Sequence, residues 1–161
     1  MLKILKIVFI AVLVSYSGLS QTTEVVFIQM NDVYEIAPLE GGKYGGLARV
    51  KTVIDKIKQT NPHTYVILSG DFISPSALGT STYEDKRING RQMVDVLNAI
   101  GLDFVTFGNH EFDYKAEVLQ DRLNESKFEW ISSNTFQNNN GEITPFKQNV
   151  NPAPEYKIIK T

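Results

Sequence analysis

An α/β fold with a mostly parallel sheet is predicted from the alternation of two residue patterns. Short apolar runs typical of buried strands alternate with segments whose apolar residues recur every three or four positions, as in helices. The resulting β-α-β-α-β-α-β order is typical of parallel strands joined by helices that cover the sheet. The length of 161 residues allows one ordinary domain.

The first half of the chain is predicted to contain two strands joined by a helix. Residues 24–30 and 65–69 are apolar runs of strand length. Between them, a glycine-rich turn leads into a helix that ends near Gln59, before the helix-breaking Pro62. A polar loop is predicted at 74–87.

The second half continues the same alternation and is predicted to end on a strand. A parallel sheet normally has both faces covered, and no helix follows the last predicted strand. We therefore expect the domain to be cut before the sheet is completed. In order, the predicted elements are a helix at 89–100, a strand at 103–107, a helix at 114–126, a strand at 129–132, a polar loop at 138–141 and a strand at 156–159.

Composition excludes several functional classes. The chain has no cysteine, which rules out a disulfide framework, a thiolate zinc site and a cysteine nucleophile. The net charge of −2 argues against binding to a nucleic-acid polymer, which normally needs a basic patch.

The first twenty residues have the pattern of a secretory signal peptide. Lys3 and Lys6 precede an apolar run at 7–14, and cleavage is predicted after Ser20. A membrane anchor is the less favoured alternative, since Ser15 interrupts the run and a span needs about 20 apolar residues. We expect a secreted or periplasmic protein without a membrane span after cleavage.

Three polar clusters directly follow three of the predicted strands, at residues 31–35, 70–72 and 108–113. The carboxyl ends of parallel strands meet at one edge of a sheet, where ligands bind. Each cluster alone is also compatible with an ordinary turn or helix cap. Together they are expected to bring four side chains to one patch: Asp32, Asp71, Asn109 and His110.

This combination of side chains is typical of a divalent metal site that acts on phosphate esters. Carboxylate, amide and imidazole groups suit Mn²⁺, Zn²⁺, Mg²⁺ or Ca²⁺. Two such ions about 3.5–4 Å apart can hold both the attacking and the leaving oxygen of a phosphate ester. Asp113 is compatible with a cap for the following helix, with a partner for His110, or with both.

In order and spacing, the three clusters resemble those of the calcineurin-like metallophosphoesterases. The resemblance is closest to the N-terminal catalytic domain of secreted 5'-nucleotidases and UDP-sugar hydrolases, and it extends from about Glu24 to the C-terminus. It implies an α/β sandwich of metallophosphatase type. Residues 21–161 would then form the N-terminal part of the catalytic domain, and a C-terminal nucleotide-binding domain would be absent.

The resemblance also implies a role for each candidate residue. Asp32 would bind the first of two divalent ions, and Asp71 would bridge both. Asn109 would bind the second ion and touch the phosphate. His110 would stabilise charge on the phosphoryl group or protonate the leaving oxygen, with Asp113 orienting its ring.

Two departures from the family pattern affect these expectations. Tyr34 stands where the family has a histidine ligand, either as a phenolate ligand or, as we favour, as a packing or substrate-lining residue. The family's later histidine motifs do not follow Asp113, and the remaining histidine, His63, is predicted in a loop away from the site.

The function expected from the resemblance is hydrolysis of nucleotides to release phosphate, through water acidified between the two metal ions. The substrate would be a nucleotide or another small phosphate ester, and no protein partner is evident. Hydrolysis of UDP-sugars or 2',3'-cyclic nucleotides remains open, as does a non-catalytic secreted binding domain. We expect activity of the full-length protein and little or none of the 161-residue chain alone.

Overall fold

The computed structural model describes residues 22–160 and contains ten strands in that range. The strands are β1 (Val26–Met30), β2 (Thr64–Leu68), β3 (Thr82–Tyr83), β4 (Lys86–Arg87), β5 (Phe104–Val105), β6 (Glu129–Trp130), β7 (Phe136–Asn139), β8 (Glu142–Pro145), β9 (Lys147–Gln148) and β10 (Asn151–Pro152).

A four-stranded parallel sheet in the order β1-β2-β5-β6 forms the centre of the described region. Three helices follow its first three strands in sequence, so the predicted α/β class and parallel sheet are confirmed. The remaining strands form three small antiparallel pairs. The helices are α1 (Leu47–Thr60), α2 (Arg91–Ile100) and α3 (Ala116–Glu125).

The apolar spacing of each helix accounts for the side that it buries. In α2, four residues at helical spacing are at most 5% exposed: Met93, Val94, Leu97 and Ile100. Gly101 ends this helix in the left-handed conformation, with φ 80°, and donates its N–H to the carbonyl of Leu97.

Helices and alternate strand positions share one hydrophobic core. Within β2, for example, Val66 and Leu68 are buried while Tyr65 and Ile67 are half-buried on the opposite face. That face carries a row of three aromatic rings. The centroid of Tyr65 lies 6.0 Å from that of Phe27 and 6.1 Å from that of Phe104.

Some predicted elements differ in the structure. The strand predicted at 156–159 is wrong, because these residues form no strand and pair with none. Lys157 there bonds Glu129 at 2.5 Å instead and lies over the Phe104 ring. The polar loop at 74–87 contains the β3–β4 hairpin, and residues 138–141 belong to the hairpin that joins β7 and β8.

The predicted signal peptide at 1–20 lies outside the described residues. Within residues 22–160, no helix is long and apolar enough to cross a membrane.

Candidate active site

Three loops meet at the carboxyl edge of the parallel sheet. Met30 pairs with Leu68, and Leu68 pairs with Val105. These three residues end β1, β2 and β5, so the three strands end side by side. We call the segments that follow β1, β2 and β5 the first loop (31–35), the second loop (69–74) and the third loop (106–113). These three loops contain all the predicted site residues.

The two candidate metal-binding aspartates have unusual backbone conformations. Asp32 has φ 50° and Asp71 has φ 59°, both in the left-handed region that residues other than glycine rarely adopt. Such residues cost free energy and cluster at functional sites, where the surrounding structure holds them in place. Asp32 is exposed and Asp71 is half-buried.

The second and third loops touch at two glycines. A Cβ atom on Gly70 would lie 2.2 Å from the backbone nitrogen of Gly108. A Cβ atom on Gly108 would lie 2.1 Å from Oδ1 of Asp71. Residues without side chains are therefore required for the contact that brings Asp71 against the third loop.

One carboxylate oxygen of Asp71 is held by a hydrogen bond from the third loop. Its Oδ1 accepts a hydrogen bond from the backbone N–H of His110, at 2.8 Å. Its other carboxylate oxygen has no hydrogen-bond partner among the described residues. That oxygen is the one available to a cation or to water.

His110 and Asp113 form a close pair within the third loop. Nδ1 of His110 lies 2.8 Å from Oδ2 of Asp113, and the two side chains are 35% and 40% exposed. The hydrogen bond to Asp113 raises the pKa of His110, and the same bond, with a second one from Ser74, lowers the pKa of Asp113. The ring therefore donates to a carboxylate and presents Nε2 to its surroundings.

Asp113 does not cap the following helix. The residue at the N-cap position of α3 is Lys115, and Asp113 closes the short 3-10 turn of residues 110–112. The alternative that Asp113 caps this helix is therefore wrong, because its side chain is turned toward His110.

Tyr34 bridges the first and third loops. Its hydroxyl donates to Oδ1 of Asp32 at 3.1 Å, and its ring packs edge-on against His110 with centroids 5.8 Å apart. Partial burial, the hydrogen bond to Asp32 and the negative charge of Asp71 raise the pKa of Tyr34 to about 12. Tyr34 thus lies between Asp32 and His110, and its role as a packing or substrate-lining residue rather than a phenolate ligand stays a prediction.

Asn109 and His63 lie at opposite ends of the parallel strands. Asn109 is exposed in the third loop, one residue before His110. His63 directly precedes β2, and its carbonyl accepts from the N–H of Val26 at 3.0 Å. The structure therefore places His63 at the amino edge, away from the other candidates.

The described residues fit part of a divalent metal site. Asp32, Asp71 and Asn109 offer the oxygen ligands that hard cations prefer. Within residues 22–160, however, no group of three or more histidine, aspartate or glutamate side chains is arranged to hold a metal ion. The ligands present are thus a partial set.

Sequence reasoning missed Glu111, which is completely buried. Both of its carboxylate oxygens accept backbone N–H groups, from Asp71, Phe72, Ile73 and Gly108. An acidic residue in a predicted polar loop is normally expected to be solvated, so nothing in the local pattern indicated burial.

The fold of the described residues is that of calcineurin-like phosphoesterases. The chain belongs to the calcineurin-like phosphoesterase family, whose family model matches residues 25–157. Members of this family generally use divalent metal ions.

Similar proteins include the trifunctional nucleotide phosphoesterase protein YfkN of Bacillus subtilis, 33% identical over 95 residues. The alignment covers 55% of this chain and 6% of that protein. A snake venom 5'-nucleotidase from Gloydius brevicauda is 30% identical over 140 residues, covering 77% of this chain and 23% of the relative. The chain thus spans only a minor part of the length of these relatives.

A crystal structure of YfkN from Bacillus subtilis has the same fold. It superposes with a TM-score of 0.56 at 24% sequence identity, over 75% of this chain and 40% of that one.

Proposed function

We propose that this chain belongs to a metal-dependent phosphoester hydrolase of the 5'-nucleotidase type, which releases phosphate from nucleotides. The observation that carries the proposal is the His110–Asp113 pair, placed beside Asp71 at the carboxyl edge of the sheet. Family membership and the nucleotide-directed names of the similar proteins support this substrate class.

All three loops supply the proposed metal ligands. Asp32 and Asn109 would each hold one of two divalent ions, Mn²⁺, Zn²⁺, Mg²⁺ or Ca²⁺, and Asp71 would bridge them. When bound, such ions supply Lewis-acid chemistry and activate water for attack on phosphate. The free oxygen of Asp71 and the exposure of Asp32 support this assignment.

His110 is the proposed proton donor to the leaving oxygen. Its raised pKa favours the protonated ring, which can also stabilise negative charge on the phosphoryl group. Asp113 accepts from Nδ1 and so keeps Nε2 directed away from itself. Tyr34, packed edge-on against this ring, restricts its movement.

We also propose that residues 21–161 supply the N-terminal part of a catalytic domain in a secreted or periplasmic protein. The charged start and apolar run of the first twenty residues support export. The small share of each relative that the chain covers supports the partial domain.

The test is phosphate release by the full protein, with Mn²⁺ added or removed by a chelator. Adenosine monophosphate, a UDP-sugar and a 2',3'-cyclic nucleotide are compared as substrates. We expect Mn²⁺-dependent hydrolysis with the nucleoside monophosphate preferred. Preference for the UDP-sugar or the cyclic nucleotide would overturn the 5'-nucleotidase assignment, but the broader assignment as a phosphoesterase would stand.

A non-catalytic binding domain is the second candidate, and the partial ligand set favours it. Under that alternative, the full protein would bind a nucleotide, as measured by calorimetry, without releasing phosphate at any metal concentration.

A further inference from the structure

We propose that Glu111 is a positioning residue, which holds the second and third loops together through hydrogen bonds and thereby determines the positions of Asp71 and His110. Its effect on catalysis rests on the function proposed above. Its effect on loop geometry does not, and the two can be measured separately.

Glu111 holds both loops through four backbone hydrogen bonds. Its Oε2 accepts from the N–H of Asp71 at 2.8 Å and from that of Gly108 at 2.6 Å. Its Oε1 accepts from Phe72 at 2.9 Å and, more weakly, from Ile73 at 3.4 Å. One side chain thus accepts from three successive residues of the second loop and from Gly108 of its own loop.

The link between the loops is reciprocal. Glu111 of the third loop accepts from the backbone of Asp71, and Asp71 accepts from the backbone of His110, the neighbour of Glu111. Moving either loop would therefore break bonds at both carboxylates. The backbone of His110 cannot shift without moving Asp71.

Only a carboxylate meets the demands of this position. All four partners are donors, and a carboxylate has two oxygens that only accept. A glutamine would turn its amide N–H₂ toward two of these N–H groups. An apolar side chain would leave all four N–H groups without this partner, which is costly above all for the buried N–H groups of Phe72 and Ile73.

The bonds also explain how Asp71 keeps its left-handed backbone. A residue with φ 59° is held only when its surroundings determine its conformation. The N–H groups of Asp71 and of the next two residues are all bonded to Glu111. Since Glu111 is fully buried, it acts through Asp71 and His110 rather than on a substrate.

The test compares Glu111→Gln with wild type in the full protein. Hydrogen exchange by NMR is measured at the amides of residues 71–73 and 108, together with kcat and KM. We expect exchange at these amides to accelerate at least about tenfold, as expected for lost buried hydrogen bonds. We expect kcat to fall about 10–100-fold, the usual effect of losing a supporting contact, with KM little changed.

Leu97→Ala is the matched control, since Leu97 is equally buried in α2, outside the three loops. It should lower the melting temperature while leaving kcat near that of wild type. If Glu111→Gln lowers kcat no more than this control, or leaves the four amides protected, the positioning role is wrong.

A second variant covers the case in which Glu111→Gln does not fold. Glu111→Asp keeps the charge but is one methylene shorter, so it cannot reach both loops and should show a smaller loss of both readouts. Wild-type protection and wild-type kcat in this variant would overturn the proposal. If wild type itself released no phosphate, the proposed function would fail, while amide exchange would still decide the role of Glu111.

Discussion

Nδ1 of His110 donates to Oδ2 of Asp113 across 2.8 Å within a single short turn after β5. The backbone N–H of His110 also donates to Oδ1 of Asp71 in the second loop, at 2.8 Å. The orientation of the imidazole ring therefore depends on contacts between loops that follow two different strands.

This pair predicts the titration of His110 in the metal-free protein. Because Asp113 stabilises the protonated ring, the pKa of His110 should lie above its ordinary value near 6.5. The ring thus keeps its proton to higher pH than a solvated histidine. Asp113→Asn should lower that pKa and reduce the protonated fraction at neutral pH.

The measurement is an NMR titration of the His110 ring. Asp121→Asn is the control, since Asp121 is exposed on α3 and, within residues 22–160, forms no hydrogen bond or ion pair with the ring. A His110 pKa that does not move in Asp113→Asn would contradict the assigned role of the pair.

Removal of the His110 ring should affect catalysis far more than removal of the other histidine. His110→Ala is expected to lower kcat about 10²–10⁴-fold, the usual contribution of a positioned acid. His63→Ala should leave kcat unchanged, because His63 lies at the opposite edge of the sheet. Steady-state kinetics of the full protein measures both, and equal losses would contradict the catalytic role proposed for His110.

The Tyr34 hydroxyl should contribute less to metal affinity than the Asp32 carboxylate. Tyr34 donates to Asp32 in the structure, so Tyr34→Phe should weaken Mn²⁺ binding about 10–100-fold, the usual effect of losing a contact that supports a ligand. Asp32→Asn should weaken it more. Calorimetric titration with Mn²⁺ compares the two, and a larger loss in Tyr34→Phe would identify the phenol as a ligand.

Gly70 should tolerate a side chain less well than Gly101. Both have positive φ, 83° and 80°, so alanine strains the backbone at either site by about 1–2 kcal/mol. A Cβ atom on Gly70 would also meet Gly108 at 2.2 Å, whereas one on Gly101 meets nothing within 4 Å. Gly70→Ala should therefore cost about 1–3 kcal/mol more.

Urea unfolding gives the free energy of unfolding for both glycine variants. Equal losses in Gly70→Ala and Gly101→Ala would show that the two loops do not touch as closely as described.

The sequence contained enough to predict the parallel sheet and the edge at which the candidates meet. Strand and helix patterns are local, and the rule that parallel strands end at one edge places Asp32, Asp71 and His110 together. The segment 156–159 also has an apolar pattern, yet strand pairing depends on neighbours that a local pattern does not contain.

The role of Glu111 and the direction of the Asp113 side chain could not be predicted for a similar reason. Four backbone donors from two loops determine the burial of Glu111, and they meet only in the folded chain. Asp113 is close enough to α3 for a cap, and only the 3-10 turn directs it to His110.

We propose that Asp71 helps to hold divalent ions for phosphoester hydrolysis. The most direct test of this proposal is Mn²⁺-dependent phosphate release by the full protein carrying Asp71→Asn, compared with Asp55→Asn on the exposed side of α1. Asp71→Asn is predicted to lose more than about 100-fold in kcat/KM, beyond the effect of a supporting contact, while Asp55→Asn retains wild-type activity. Undiminished hydrolysis by Asp71→Asn would contradict the proposal.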